Sequence, residues 1–294
     1  MTDWQSWHLH VDSLDPRAVE AAVVEVVGPT VAEFGQHADR PRPWFFIRYW
    51  QGGPHVRLRL ADAGPDAAAV QAALARRTAA VNVALPAGSR LTVEDYQRSA
   101  APIADRGEAG TPLPLTSLLP PGAHPARYEP EVDRYGGTAL IAASEALFHA
   151  SSVVCLRACR DRAGGSRIAA DGLEAMAATL SAWPGDRLAL LRGVRDGWAQ
   201  WLGSDFPDAP EQARILAHLA PALRDLADGA TSRWTPWTAR LGVAAKEWTD
   251  RLGAARARQI LGSHLHMTQN RLGVGAAREG RLAAILLVLL DGAA

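Results

Sequence analysis

The run from Trp44 to Leu60 constrains the fold more than any other stretch. It reads Trp44-Phe45-Phe46-Ile47-Arg48-Tyr49, then Trp50-Gln51-Gly52-Gly53-Pro54, then His55-Val56-Arg57-Leu58-Arg59-Leu60. Two β-prone segments joined through Gly-Gly-Pro read as a hairpin. In the second segment Val56, Leu58 and Leu60 alternate with His55, Arg57 and Arg59. A strand puts successive side chains on opposite faces, so one face is core and the other carries an imidazole and two guanidiniums. Arg48 is expected beside them from the neighbouring strand. Such a face either meets an anionic or carbonyl-rich partner or is solvated and salt-bridged.

Around the hairpin, Ser6 to Val11 alternates and predicts a strand. Asp15-Pro16 opens a helix through Val19, Val23, Val26 and Val27, since proline suits a first helical turn. A second helix starts near Pro65 and runs through Val70, Leu74 and Val81, and Arg90 to Tyr96 alternates again as a fourth strand. That order, βαββαβ, is the ferredoxin-like unit. Residues 100–126 are rich in Pro, Gly and Ala and read as a loop. Beyond it, helical periodicity spans Thr138–Arg160, Asp171–Trp183, Asp186–Trp201, Glu211–Leu226, Trp237–Leu252, Ala255–Leu272 and Arg278–Leu290. The expected fold class is α+β: a ferredoxin-like unit over 1–99, packed on a mostly helical half over 127–294, in a single domain of residues 1–294.

Composition excludes several functions. Basic and acidic residues balance at 31 each, so no field for nucleic acid or a membrane surface is expected. Lys246 is the only lysine, which argues against Schiff-base chemistry. Cys155 and Cys159, the only cysteines, stand four apart in a helical stretch and read as reduced core residues. No CxxC or His/Cys cluster predicts a metal, and GxSxG, P-loop, GxGxxG and HExxH are all missing. The apolar run Leu282–Leu290 is too short to span a bilayer, and Met1 onward lacks a signal-peptide pattern, so a cytoplasmic protein is expected.

Two further clusters carry chemistry. Gln259, Ser263, His266 and Asn270 recur at helical spacing and form a polar stripe. His266 there is a candidate proton carrier held by Ser263 or Asn270; the alternative is a buried helix–helix hydrogen-bond network. Tyr128 and Glu131, followed by Arg134-Tyr135-Gly136-Gly137, offer an acid and a base. The alternative is that Glu131 simply pairs with Arg134 while the glycines turn the chain.

These stretches together resemble a known family. Trp7-His8, Phe46-Ile47-Arg48-Tyr49, Pro54-His55-Val56-Arg57-Leu58-Arg59, Tyr128-Glu129-Pro130-Glu131 with Arg134-Tyr135-Gly136-Gly137, and His266-Met267 with Asn270-Arg271-Leu272 occur in this order. Order and spacing resemble the C-terminal domain of lantibiotic dehydratases and its stand-alone relatives from thiopeptide biosynthesis, from Trp7 to Leu290. The resemblance implies one of two reactions on a modified precursor peptide with a leader sequence. The first is pyridine synthesis, in which two dehydroalanines undergo a formal [4+2] aza-cycloaddition and water and the leader peptide are then lost. The second is elimination of glutamate from glutamylated Ser or Thr. Elimination domains often carry an arginine where this chain has Pro130, which favours the first. A non-catalytic peptide-binding scaffold is the third reading. The resemblance carries over Arg57, Arg59 and His266; with the acid and base offered by the second cluster, the candidate catalytic residues are Tyr128, Glu131 and His266. Arg48, His55, Arg57, Arg59, Ser263, Gln269 and Asn270 would bind substrate. No cofactor or metal is expected; a homodimer is compatible.

Overall fold

The computed structural model describes residues 2–37, 40–107, 111–162, 167–206 and 210–291. The chain forms two compact units, residues 1–129 and 130–294.

The N-terminal unit begins with β1 (Trp4–His10) and α1 (Pro16–Ala21). The Asp15 side chain accepts from the Arg17 amide and caps the helix, with Pro16 at its start. α1 runs on through a π-helical segment, Ala22–Val27, into α2 (Gly28–Phe34). A short pair, β2 (Gln36–His37) and β3 (Arg40–Pro41), precedes the hairpin of β4 (Trp44–Tyr49) and β5 (His55–Ala61). Then come α3 (Ala67–Ala84), α4 (Val93–Arg106) and β6 (Gly122–Ala126). The main sheet is antiparallel, in the order β4-β5-β1-β6. One face carries Leu9, Phe46, Val56 and Leu58, all 0% exposed, and the helical segments with Val23, Val26, Val70 and Leu74 complete this core.

The fourth strand is not Arg90–Tyr96. That stretch leads into α4, whose cap is Thr92: its hydroxyl accepts from the Asp95 amide at 3.1 Å and donates to the Asp95 carboxylate at 2.8 Å. The cap outweighs a short alternation. The strand is instead Gly122–Ala126, at the sheet edge beyond β1, where Pro125 is tolerated. The expected loop over 100–126 therefore shrinks, since residues 100–106 are helical; residues 108–110 lie outside the described residues.

The C-terminal unit is helical: α5 (Ile141–Asp161), α6 (Ile168–Ser181), α7 (Arg187–Leu202), α8 (Pro210–Ile215), α9 (Ala220–Ala227), α10 (Thr235–Leu252), α11 (Ala254–Leu272) and α12 (Ala276–Asp291). Six of these follow the expected stretches to within about three residues, whereas the stretch expected as one helix over Glu211–Leu226 is split into α8 and α9 by a 3-10 turn at Ala217–Leu219. Trp234, Trp237 and Trp248 are fully buried. So is the ion pair Arg162–Asp171 at 2.8 Å, whose carboxylate also accepts from Arg233 at 2.5 Å. Among the described residues no helix is long and apolar enough to cross a membrane.

Gly136 shows how tightly the segment before α5 is seated. Its φ is +91°, and a Cβ would lie 2.9 Å from Leu140, 3.0 Å from Leu252 and 3.1 Å from Ile260. Gly136→Ala is expected to destabilise by about 2 kcal/mol, from strain and overpacking together. An unchanged melting temperature would contradict this.

Candidate functional site

Register decides which side chains of the N-terminal sheet share a face. His10 pairs with His55, His8 with Arg57 and Ser6 with Arg59, while Tyr49 pairs with His55 and Phe45 with Arg59. These residues form the face opposite the apolar core. Arg48 does not belong to it. It pairs with Val56, points to the helical side and donates to Glu20 of α1. The expectation that Arg48 joins the arginine face is therefore corrected: the hairpin register sets it on the other side.

The two remaining arginines are held differently. The Arg57 guanidinium stacks over Tyr49 at 3.5 Å, and its Nε donates to His55 Nε2 at 3.2 Å. Arg59 is buried, with its guanidinium 5.4 Å from both the Phe45 and Tyr128 rings. Trp4 closes this cage, 4.8 Å from Phe45 and 6.1 Å from Tyr128. Tyr128 thus contributes its ring to a cation–π cage.

Three imidazoles border the arginines. His55 stacks on His10 at 4.3 Å and on His8 at 4.7 Å, and one ring nitrogen from each of the three lies within 4.8 Å of the other two. Burial, with the neighbouring positive groups, pushes His8 down to about 3 and His10 to about 4, and drives His55 well below the usual histidine value. All three are neutral near pH 7. Neutral imidazoles are metal-competent, yet both His55 nitrogens are engaged, Nδ1 with the Gly53 carbonyl at 2.8 Å and Nε2 with Arg57. Two guanidiniums beside the cluster further disfavour a cation. His55 is 0% exposed, so it cannot touch a substrate as the sequence reading expected.

The C-terminal unit holds a cleft of about 690 Å³ between α7, α11 and α12. His266 lines it, with its side chain 24% exposed. Its Nδ1 lies 2.8 Å from a carboxylate oxygen of Glu279, whose side chain is 1% exposed. A carboxylate accepts, so Nδ1 is the donor and Nε2 is the nitrogen left for chemistry. Trp198 packs 4.8 Å from the imidazole and meets Trp201 edge-on at 5.6 Å; both indoles line the cleft. Arg134, Arg192 and Arg258 add positive charge along it. This geometry suits proton transfer within a cleft that takes planar or carbonyl-rich groups.

The polar stripe is only partly what the spacing implied. Gln259, Ser263 and His266 do line the cleft, and Ser263 Oγ accepts from Arg134 Nε at 3.3 Å. Asn270 is half-buried on the same helix. Gln269 is corrected: it is 0% exposed and its amide donates to the Gly172 carbonyl at 2.9 Å, inside the helix packing. Glu131 pairs with Arg134 at 2.9 Å and is half-exposed. His264, two residues from His266, is fully buried against Trp248, and burial pushes it down to about 3. Arg271 of the Asn-Arg-Leu run is 1% exposed and donates to Ser152 at 3.0 Å, a core role.

Glu279, Arg192 and Arg258 escaped the sequence reading. Glu279 left a signal: it falls in helical phase with the buried Leu282, Ala283 and Leu286. A carboxylate on an apolar stripe needs a partner.

Comparison with known proteins accords with this architecture. Residues 4–290 match the sequence family described as lantibiotic biosynthesis dehydratase C-term. No curated protein matches the chain in sequence. Among solved structures, the pyridine synthase TbtD from thiomuracin biosynthesis is 18% identical, with a TM-score of 0.72 and 99% of each chain covered. The tRNA-dependent lantibiotic dehydratase MibB from Microbispora sp. 107891 is 23% identical, with a TM-score of 0.60; 99% of this chain covers 28% of MibB. TsrL is 16% identical, with a TM-score of 0.63, covering 98% of this chain and 94% of that one. At these identities the likeness concerns the fold.

Proposed function

We propose, taking as premise that this chain belongs to the lantibiotic biosynthesis dehydratase C-terminal family, that it is a pyridine synthase acting on a dehydrated, leader-bearing precursor peptide. The observation that carries the reading is the His266–Glu279 pair opening onto a tryptophan-walled cleft. The likeness of the fold to TbtD, over 99% of both chains, supports the same reading.

In this reaction an amide proton of one dehydroalanine moves from nitrogen to oxygen and gives a hydroxy-azadiene. Its two termini bond to the alkene carbons of the second dehydroalanine. Water leaves, then the leader peptide departs as its carboxamide, and the ring is aromatic. Nε2 of His266, with Nδ1 held by Glu279, is suited to take and return these protons. The cleft contributes by holding a peptide segment in a reactive conformation. In the N-terminal unit, Arg57 and Arg59 are suited to polarise a peptide carbonyl.

Glutamate elimination is the second reading. Its support is the same two arginines, which suit a departing carboxylate, and the likeness to MibB. Incubation with a linear, azole-bearing peptide containing both dehydroalanines separates the two. Release of leader peptide with a pyridine macrocycle is the expected result. No change there, with loss of glutamate from a glutamylated peptide, replaces the reading with the second. Inertness toward both leaves a peptide-binding scaffold.

A further inference from the structure

We infer that His55 is a positioning residue that orients the Arg57 guanidinium through an N–H···N hydrogen bond, from a tautomer set by the Gly53 carbonyl. The relevance to turnover rests on the proposed role of Arg57; the bond itself does not.

The assignment follows from donor and acceptor capacity. An arginine Nε can only donate, so His55 Nε2, 3.2 Å away, must accept and carry no proton. The imidazole proton then sits on Nδ1, which donates to the Gly53 carbonyl at 2.8 Å. That carbonyl is aimed by a backbone open to glycine: Gly53 has φ +106°, and a Cβ there would lie 2.8 Å from Leu118. The turn is braced elsewhere too, since the Gly52 amide donates to Tyr96 Oη at 2.8 Å and the Leu119 amide donates to the Gly52 carbonyl at 2.9 Å.

The rest of the cluster keeps this tautomer neutral. Protonated His55 would present N–H to N–H against Arg57 and break the bond. Stacking between His8 and His10, at 0% exposure, strongly disfavours that charge. The three histidines thus act as an uncharged wall. With Nε donating to His55 and the plane held against Tyr49, the orientation of the Arg57 guanidinium is set from two sides.

Nitrogen-15 NMR on the whole chain tests this without any substrate. The expected result is a scalar coupling across the hydrogen bond between Arg57 Nε and His55 Nε2, with the His55 proton on Nδ1 alone. A His55 ring protonated on Nε2, or no coupling, overturns it. His55→Leu is expected to speed solvent exchange of the Arg57 Nε proton about tenfold, and His55→Gln, whose amide oxygen can accept, to restore part of the protection. Equal exchange in wild type and both variants also overturns it. Failure of the pyridine assay with the coupling intact would remove the proposed reaction and leave the positioning bond standing.

Discussion

Acidification from pH 7 to pH 5 is expected to destabilise the N-terminal unit by about 4 kcal/mol through His8 and His10, with His55 adding in the same direction. His8, His10 and His55 stay neutral in the folded state, with His8 at about 3, His10 at about 4 and His55 well below its usual value. In the unfolded chain each takes up a proton near pH 6.5. The unfolded state therefore binds more protons below pH 6.5, and stability falls as pH falls. His8 and His10 each contribute about 2 kcal/mol of this loss by pH 5, and His55 acts in the same direction. Above pH 7 these three histidines add no slope, because they are neutral in both states. His264, at about 3, adds a similar single-group dependence to the C-terminal unit. Thermal melts followed by circular dichroism at pH 8, 6.5 and 5 check the result. Equal midpoints at pH 8 and pH 5 would refute it. His8→Gln is expected to shallow the acid limb by about one proton's worth of slope.

His266→Gln is expected to lower turnover of the proposed ring closure by about 10²–10⁴ while stability and peptide affinity stay near wild type. Alanine is the wrong probe for this position. It strands the Glu279 carboxylate, whose side chain is 1% exposed, and removing one partner of a buried pair costs about 3–5 kcal/mol. A stability loss in His266→Ala would thus say nothing about proton transfer. Glutamine keeps an N–H donor for Glu279 and deletes the imidazole. Anisotropy with labelled precursor peptide measures affinity, and single-turnover assays measure chemistry. Wild-type turnover in His266→Gln would remove the residue from the reaction. Glu279→Gln is expected to fall between the two, because an amide still accepts from Nδ1 but stabilises the imidazolium less.

Much of the C-terminal unit was legible because helices are local. Ala255–Leu272 was expected and Ala254–Leu272 is found; Arg278–Leu290 was expected and Ala276–Asp291 is found. Periodicity and glycine stops lie within a few turns of the residues they organise. The same holds for the hairpin, whose Gly52 and Gly53 take φ of +79° and +106°. The fourth strand was not legible. Gly122–Ala126 has a poor strand sequence, and only its pairing with β1 makes it one. Arg90–Tyr96 alternated, but Thr92 caps a helix there.

The sites divide along the same line. Sequence alone determined that Arg57 and Arg59 share a face and that His266 shares a stripe with Ser263, because those relations are fixed by strand and helix periods. Only the tertiary structure decided that Arg48 faces Glu20, since a one-residue change of register would reverse it. Only packing decided that Gln269 is buried, that Glu279 stands behind His266 and that Tyr128 rings Arg59. Each of those contacts joins separate elements, and no local period carries information about which element will lie opposite.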